Sequence, residues 1–98
     1  MDVAYRVSGI KFVWDRKKSE LNRRKHGITF ESACEIFSDP FISLIGTDVI
    51  RGEAREIAIG LTRAWQLLKV VYIFNSTAIR LISARTVTMH ERENYEEQ

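Results

Sequence analysis

Residues Leu67 to Phe74, LLKVVYIF, form a near-continuous apolar run interrupted only by Lys69. A run of this length, rich in β-branched and aromatic residues, suits a central strand whose two faces are largely covered. The sequence around it reads as further strands. Ala78 to Ala84 returns after a turn at Asn75–Ser76, and Arg55 to Thr62 sets Ile57 and Ile59 on one face before a turn around Arg63–Ala64. Connections this short pair strands antiparallel, as a meander. Phe41 to Ile45 reads as another strand, followed by a polar, aperiodic loop over Gly46–Ala54. Ile10 to Trp14 alternates apolar and polar at its start and reads as a short strand. Residues 1–9 show no clear period and read as a loose extension to one domain spanning 10–98.

Between these strands lie three helical signals. The first is WDRKKSELNRRKHG, Trp14 to Gly27. Asp15 is placed to cap its first turn, and Gly27 supplies the left-handed residue that ends it. A helix made only to cover a core carries an apolar stripe. This one carries Arg16, Lys17, Lys18, Arg23, Arg24 and Lys25, with Leu21 as its only aliphatic anchor. Ile28 is expected to fold back on Leu21 and close the helix end. Thr29 caps the second helix, whose apolar positions Phe30, Ala33, Cys34 and Phe37, with Ile36 beside them, follow helical spacing. Cys34 on that face reads as an inert core thiol. Pro40 ends the helix by pushing Asp39 to extended geometry. Thr88 and Glu91 form a capping box that starts a last helix near Met89. The expected fold is α+β: a small antiparallel sheet of about four to five strands, with two N-terminal helices and one C-terminal helix packed on it.

Composition then limits the chemistry. No apolar run approaches the roughly 20 residues of a membrane span. MDVAYRVSGI lacks the charged-then-apolar pattern of a secretory signal, and the single cysteine rules out an internal disulfide; both give the expectation of a cytoplasmic chain. Net charge is only +2, but residues 6–25 hold eight bases and two acids while Glu91 to Gln98 holds four glutamates and one arginine. That asymmetry sets a polyanion-facing end against an acidic one, although charge runs are also ordinary solvated faces. His26 and His90 lie far apart and no second cysteine exists, so no zinc-ligand spacing is present. Glycine-rich phosphate loops and a GxSxG elbow are also missing. No metal and no cofactor is expected.

The remaining inventory suits RNA cleavage through the 2′-hydroxyl. That reaction asks the protein for a proton acceptor, a proton donor and cations beside the charge developing on phosphorus. An imidazole serves either proton role near neutral pH, and Arg or Lys holds phosphate. His26 therefore has two readings, a C-terminal helix cap favoured by the dipole or a proton-transfer group. His90, among charged residues, reads as solvated.

The segment WDxxKxxxNxxKHGIxFE, Trp14 to Glu31, resembles the opening signature of the BrnT toxins, the ribonuclease halves of a bacterial type II toxin–antitoxin pair. The likeness continues through Asp39–Pro40, Glu53-x-Arg55 running into IAIG, Ile82-Ser83-Ala84-Arg85, and Glu91-Arg92 with Tyr95-Glu96. Thr86 departs from it, standing where a second base commonly follows the arginine, and the first nine residues look like an addition. The resemblance implies a RelE-like fold and an endoribonuclease that arrests growth. It also implies a BrnA-type ribbon-helix-helix antitoxin in a heterotetramer, touching operator DNA only through that antitoxin. The resulting site expectation names His26, Arg85, Lys25 and Tyr95 as catalytic, with Lys18, Asn22, Arg23, Arg24, Glu53 and Arg55 on the RNA. Lys18, Asn22 and Lys25 share one helical stripe. Arg85 has an alternative reading as the ion-pair partner of Glu53 or a tail glutamate, and Tyr95 as a core residue. Two other classes stay open: a nucleic-acid-binding module without catalysis, recognised by salt-dependent binding, and an interaction subunit docking an acidic protein.

Overall fold

A computed structural model describes residues 1–98 throughout. Its strands are β1 (Asp2–Val7), β2 (Ile10–Asp15), β3 (Ser43–Ile50), β4 (Glu53–Leu61), β5 (Leu67–Phe74) and β6 (Ile79–Thr86). The helices are α1 (Arg16–His26), α2 (Phe30–Cys34), continued by a 3-10 turn over Glu35–Ser38, and α3 (Met89–Glu96). The strands form one sheet in the order β1-β2-β6-β5-β4-β3. The expected sheet of four or five antiparallel strands is therefore a mixed sheet of six. One pair, β2 with β6, is parallel. The second N-terminal helix is a single short segment that tightens into the 3-10 turn. No helix is long and apolar enough to cross a membrane.

Both extra stretches of strand come from hairpins that apolar periodicity does not reveal. Residues 1–9 are not loose: β1 pairs along its whole length with β2, from Asp2 opposite Asp15 to Val7 opposite Ile10. Ser8 and Gly9 both have positive φ, the geometry of a tight hairpin turn whose twist matches its strands. Val3 and Val7 alternate onto the core. The stretch expected as a polar loop continues β3 to Ile50 and turns at Arg51–Gly52, again with two positive φ values. β3 is an edge strand, exposed on nearly every residue, so its side chains carry no burial pattern. Backbone pairing with β4 holds it instead, with a register shift between Leu44 and Gly46.

The core lies between the sheet and the α1–α2 layer. Phe12 and Trp14 of β2, Leu68, Val70 and Tyr72 of β5, and Leu81 and Ala84 of β6 meet Ile28, Phe30, Ala33, Cys34 and Ile36. The 3-10 turn repeats every three residues, which carries the buried row from Ala33 to Ile36. Ile36 is fully buried and Phe37 only partly so, the reverse of the order expected from an uninterrupted helix. Cys34 is buried, and burial pushes its thiol up to about 12, as expected of an inert core residue. The chain must pass very close at Gly60, where a Cβ would lie 2.7 Å from that of Ile36.

The caps form as the sequence predicts. Asp15 accepts from the Lys18 N–H, Gly27 takes the left-handed conformation at φ 71°, Thr29 accepts from Ser32, and Thr88 and Glu91 complete their capping box. The anchor of α1 is different. Leu21 is 62% exposed, whereas Asn22 is 6% exposed. The inward stripe of α1 is Ser19, Asn22 and His26, the only residues of the helix that are not exposed. Asn22 Nδ2 donates to the carbonyl oxygens of Ile28 at 3.0 Å and Ala84 at 2.8 Å, and its Oδ1 accepts from the Ala84 N–H at 3.0 Å. It is this amide, not a Leu21–Ile28 contact, that closes the helix end.

The cause is topological. β2 pairs with β6 only at Phe12–Ile79 and Val13–Arg80 before the chain turns into α1. Beyond that point the Ala84 N–H and carbonyl point away from β5, and the Asn22 amide satisfies both as a neighbouring strand would. Replacing Asn22 by Ala strands these groups inside the fold. At roughly 1–3 kcal/mol per unsatisfied buried group, Asn22→Ala should lose about 3 kcal/mol of stability, read as a lower urea midpoint. A loss below about 1 kcal/mol would show that water replaces the amide and that the clamp is dispensable.

Candidate active site

α1 lies along the β6 edge and leaves a groove of about 260 Å³ lined by Lys18, Leu21, Asn22, Lys25, His26, Ile82 and Ser83. Four of the sequence-predicted residues, Lys18, Asn22, Lys25 and His26, meet there. The one-turn and two-turn steps of the helix put the lysines on one stripe. His26 is half-buried at the C-terminal end, in a last turn that also carries Arg23, Arg24 and Lys25. The helix dipole favours that accumulation of positive charge. Arg23 and Arg24 are exposed and outside the groove lining, where they add to the field but do not converge on His26. Asn22 lines the groove, yet its amide is committed to Ile28 and Ala84. Its amide thus has a structural part that helical spacing does not reveal.

Ile82 and Ser83 form the other wall because of an irregularity in β6. Val71 pairs with Ser83 but Tyr72 pairs with Leu81, so Ile82 is an extra residue. Leu81 and Ala84 both remain in the core, and the two residues between them face the groove. Bulges commonly re-aim side chains in this way beside functional sites. Ser83 brings a hydroxyl to the site. Sequence reasoning saw it only as part of the ISAR segment, since a bulge leaves no mark in apolar alternation.

Arg85 follows on the same strand but does not line the groove. Its guanidinium makes a two-pronged contact with Glu91, 3.0 Å at each prong, and a 2.8 Å bond to the Thr86 carbonyl. Lys69 Nζ lies 3.4 Å from the same carboxylate. The Arg85 hydrogen bonds, then the Thr88 N–H and the charges of Arg85 and Lys69, overcome partial burial and hold the Glu91 carboxyl down at about 2. The ion-pair reading of Arg85 is thus the one observed, with a tail glutamate and not Glu53 as partner.

Tyr95 stands apart from the groove. Its hydroxyl donates to Asp39 Oδ2 at 2.6 Å. Burial, reinforced by the neighbouring Asp39 carboxylate, pushes the phenol up to about 12. Burial opposes ionisation of Asp39, but hydrogen bonds from Tyr95, Phe41 and Leu61 outweigh it and hold the carboxyl below its usual range. Tyr95 therefore ties α3 to the end of the 3-10 turn and to β4, outside the groove that holds Lys18, Lys25 and His26. Glu53 and Arg55 also lie elsewhere, paired at 3.9 Å near the start of β4. Strand geometry puts Arg55 about 16 Å and Glu53 about 22 Å from Arg85. Arg55 Nε is buried without a hydrogen-bond partner. No three His, Cys, Asp or Glu side chains converge in a metal-binding arrangement.

Comparison with known proteins gives a consistent picture. Residues 14–91 match the family model described as the ribonuclease toxin BrnT of a type II toxin–antitoxin system. Among solved structures, the crystal structure of the Brucella abortus ribonuclease toxin BrnT is similar to the chain, with a TM-score of 0.61 and 25% sequence identity. The match covers 78% of this chain and 94% of that one. No curated protein sequence matches the chain.

The Glu91 contacts predict a pH dependence. A carboxyl whose folded pKa lies near 2, against an ordinary 4.5, stabilises the fold fully above the ordinary value and progressively less as pH falls through the folded one. The difference in melting temperature between the parent and Glu91→Gln should therefore be largest near neutral pH and shrink as pH drops from about 4.5 towards about 2. A constant difference across that range would mean that the Arg85–Glu91 pair does not hold α3 in solution.

Proposed function

Because the chain belongs to the BrnT family of ribonuclease toxins, we propose that it is the endoribonuclease of a toxin–antitoxin pair, cutting RNA at the groove between α1 and β6. The observation that carries this reading is the convergence of Lys18, Lys25 and half-buried His26 on one groove beside Ser83. The lysines neutralise the RNA backbone on either side of the scissile phosphate. His26 takes the 2′-hydroxyl proton or returns a proton to the leaving 5′-oxygen, in reach of a phosphate held by Lys25. Arg85, two residues beyond Ser83 on the same face, adds positive potential to the developing phosphorane. Every one of these roles uses a side chain of the protein, so the proposed chemistry is metal-independent and its products carry 2′,3′-cyclic phosphate or 3′-phosphate ends.

The family implies an antitoxin. We assign it the BrnA ribbon-helix-helix type, in a heterotetramer that reaches operator DNA only through the antitoxin. Its binding covers Lys18 and Lys25, which are exposed in the free protein. The unrestrained enzyme arrests growth in the cytoplasm. The family match begins at Trp14, which supports reading residues 1–9, the outer hairpin strand included, as an addition to a domain spanning 10–98. One observation favours a second reading, a nucleic-acid-binding module without catalysis: Arg85 and Tyr95 are both held by carboxylates, which leaves only His26 and Lys25 of the four catalytic candidates inside the groove.

Cleavage, binding and melting of the parent, His26→Ala and Arg85→Ala separate these readings. General acid–base catalysis is worth about 10²–10⁴-fold, so His26→Ala should lose measurable cleavage while keeping RNA affinity and fold. Activity of the antitoxin-free parent should survive excess chelator. Cleavage by His26→Ala at the parent rate would return His26 to the role of helix cap. A parent that binds RNA without cutting it would establish the binding module instead.

A further inference from the structure

Lys69 and Arg85 sit opposite each other on β5 and β6, so their side chains leave the same face of the sheet. That face is the one turned away from Val70 and Ala84, hence away from the α1–α2 core. Glu91 bridges the two cations, 3.4 Å from Lys69 and bound through both oxygens to Arg85. One carboxylate against two cations leaves a net positive charge. All three side chains are sheltered, with 23%, 34% and 16% of their surface exposed, so the charge is only partly screened. The guanidinium fork that grips Glu91 is also the geometry that accepts two oxygens of a phosphate.

The cluster borders the groove. Ser83, which lines the groove with Lys18, Lys25 and His26, is two residues before Arg85 on the same face of β6, about 7 Å away along the strand. A polyanion leaving the groove along β6 therefore meets Arg85 and Lys69 next. What stands in its way is the carboxylate of α3. That helix has no buried residue. Beyond Glu91 its main tie is the Tyr95–Asp39 bond, and an element with so little burial opens locally at low free energy.

We propose that Lys69 and Arg85 form a second phosphate subsite for the RNA backbone, and that Glu91 is its internal counter-anion, filling the subsite in the free protein and giving way to phosphate when RNA binds. This rests on RNA being the substrate of the adjoining groove. Lys69 thereby becomes a binding residue that its position inside the apolar run LLKVVYIF concealed. The acidic start of α3 becomes a competitor built into the chain, so that RNA has to displace Glu91 to span both clusters.

The test uses the full chain and a single-stranded 2′-O-methyl RNA, which lacks the attacking hydroxyl and stays intact. Its affinity is measured against salt concentration for the parent, Lys69→Ala, Glu91→Gln and the double variant. Glutamine retains the capping box and removes only the charge. Glu91→Gln should bind several-fold more tightly than the parent. Lys69→Ala should bind more weakly, with the log–log salt slope reduced by about 0.7, the value of one phosphate contact on a single strand. In the double variant the gain from Glu91→Gln should shrink, since its beneficiary is gone. Equal affinity of Glu91→Gln and parent, or an unchanged slope in folded Lys69→Ala, overturns the subsite while leaving the groove intact. If Glu91→Gln fails to fold, the Lys69→Ala slope alone decides. A parent that neither binds nor cuts RNA overturns the subsite together with the proposed function.

Discussion

The architecture turns on the amide of Asn22. A parallel neighbour that pairs for only two residues leaves the rest of β6 with open backbone groups at the point where α1 begins. Buried N–H and carbonyl groups have to find partners, and an asparagine amide carries a donor and an acceptor in the geometry of a peptide unit. Placed on the inward stripe of α1, it completes the Ala84 pairing and closes the helix onto Ile28 in one step. The result is a helix that can be almost wholly basic. Its attachment uses hydrogen bonds and not an apolar stripe, so the surrounding positions are free to carry charge.

That attachment also sets the electrostatics. Lys18, Lys25 and His26 flank the clamped residue at one-turn steps, so fixing Asn22 fixes the direction in which they project. The bulge at Ile82 turns Ser83 towards them. Two residues on, along the face that Ser83 shares, Arg85 and Lys69 are drawn onto Glu91. The positive charge thus falls into two sets, one open in the groove and one partly neutralised by Glu91 of α3. The difference is a consequence of helix placement. α1 brings no carboxylate to the groove it forms with β6, while the capping box of α3 brings one to Arg85 and Lys69.

Much of the fold is legible in the sequence where a local rule acts alone. Asp15, Gly27, Thr29 and the Thr88–Glu91 box mark helix ends by side-chain chemistry and adopt those roles. The run Leu67–Phe74 is a strand over the whole of its length and lies inside the sheet. The strand β1, and β3 beyond Ile45, were not legible as strands because both are edges. An edge strand is stabilised by its backbone, and a side-chain pattern reports only burial. Leu21 was a misleading anchor for a related reason: hydrophobicity predicts what is buried when contact is apolar, and this contact is polar. Of the site residues, Lys18, Lys25 and His26 could be grouped because helical spacing is a local property. The surroundings of Tyr95 could not, since its partner Asp39 lies 56 residues away, and for Arg85 the sequence left Glu53 and a tail glutamate as alternative partners.

By itself the sequence determined the helix ends, the central strand, the basic character of α1, the spacing of its lysines and histidine, and the family resemblance. All but the resemblance, which rests on matching residues, follow from propensities and periodicities that act within a few residues. Only the tertiary structure decided that the sheet is mixed, that Asn22 substitutes for a missing strand, that Ser83 faces the groove, and that Glu91 and Asp39 take up Arg85 and Tyr95. Each of these depends on which strands become neighbours and on which face a helix lands. Those choices are made by long-range packing and by the need to pair every buried backbone group, and no local rule along the chain encodes them.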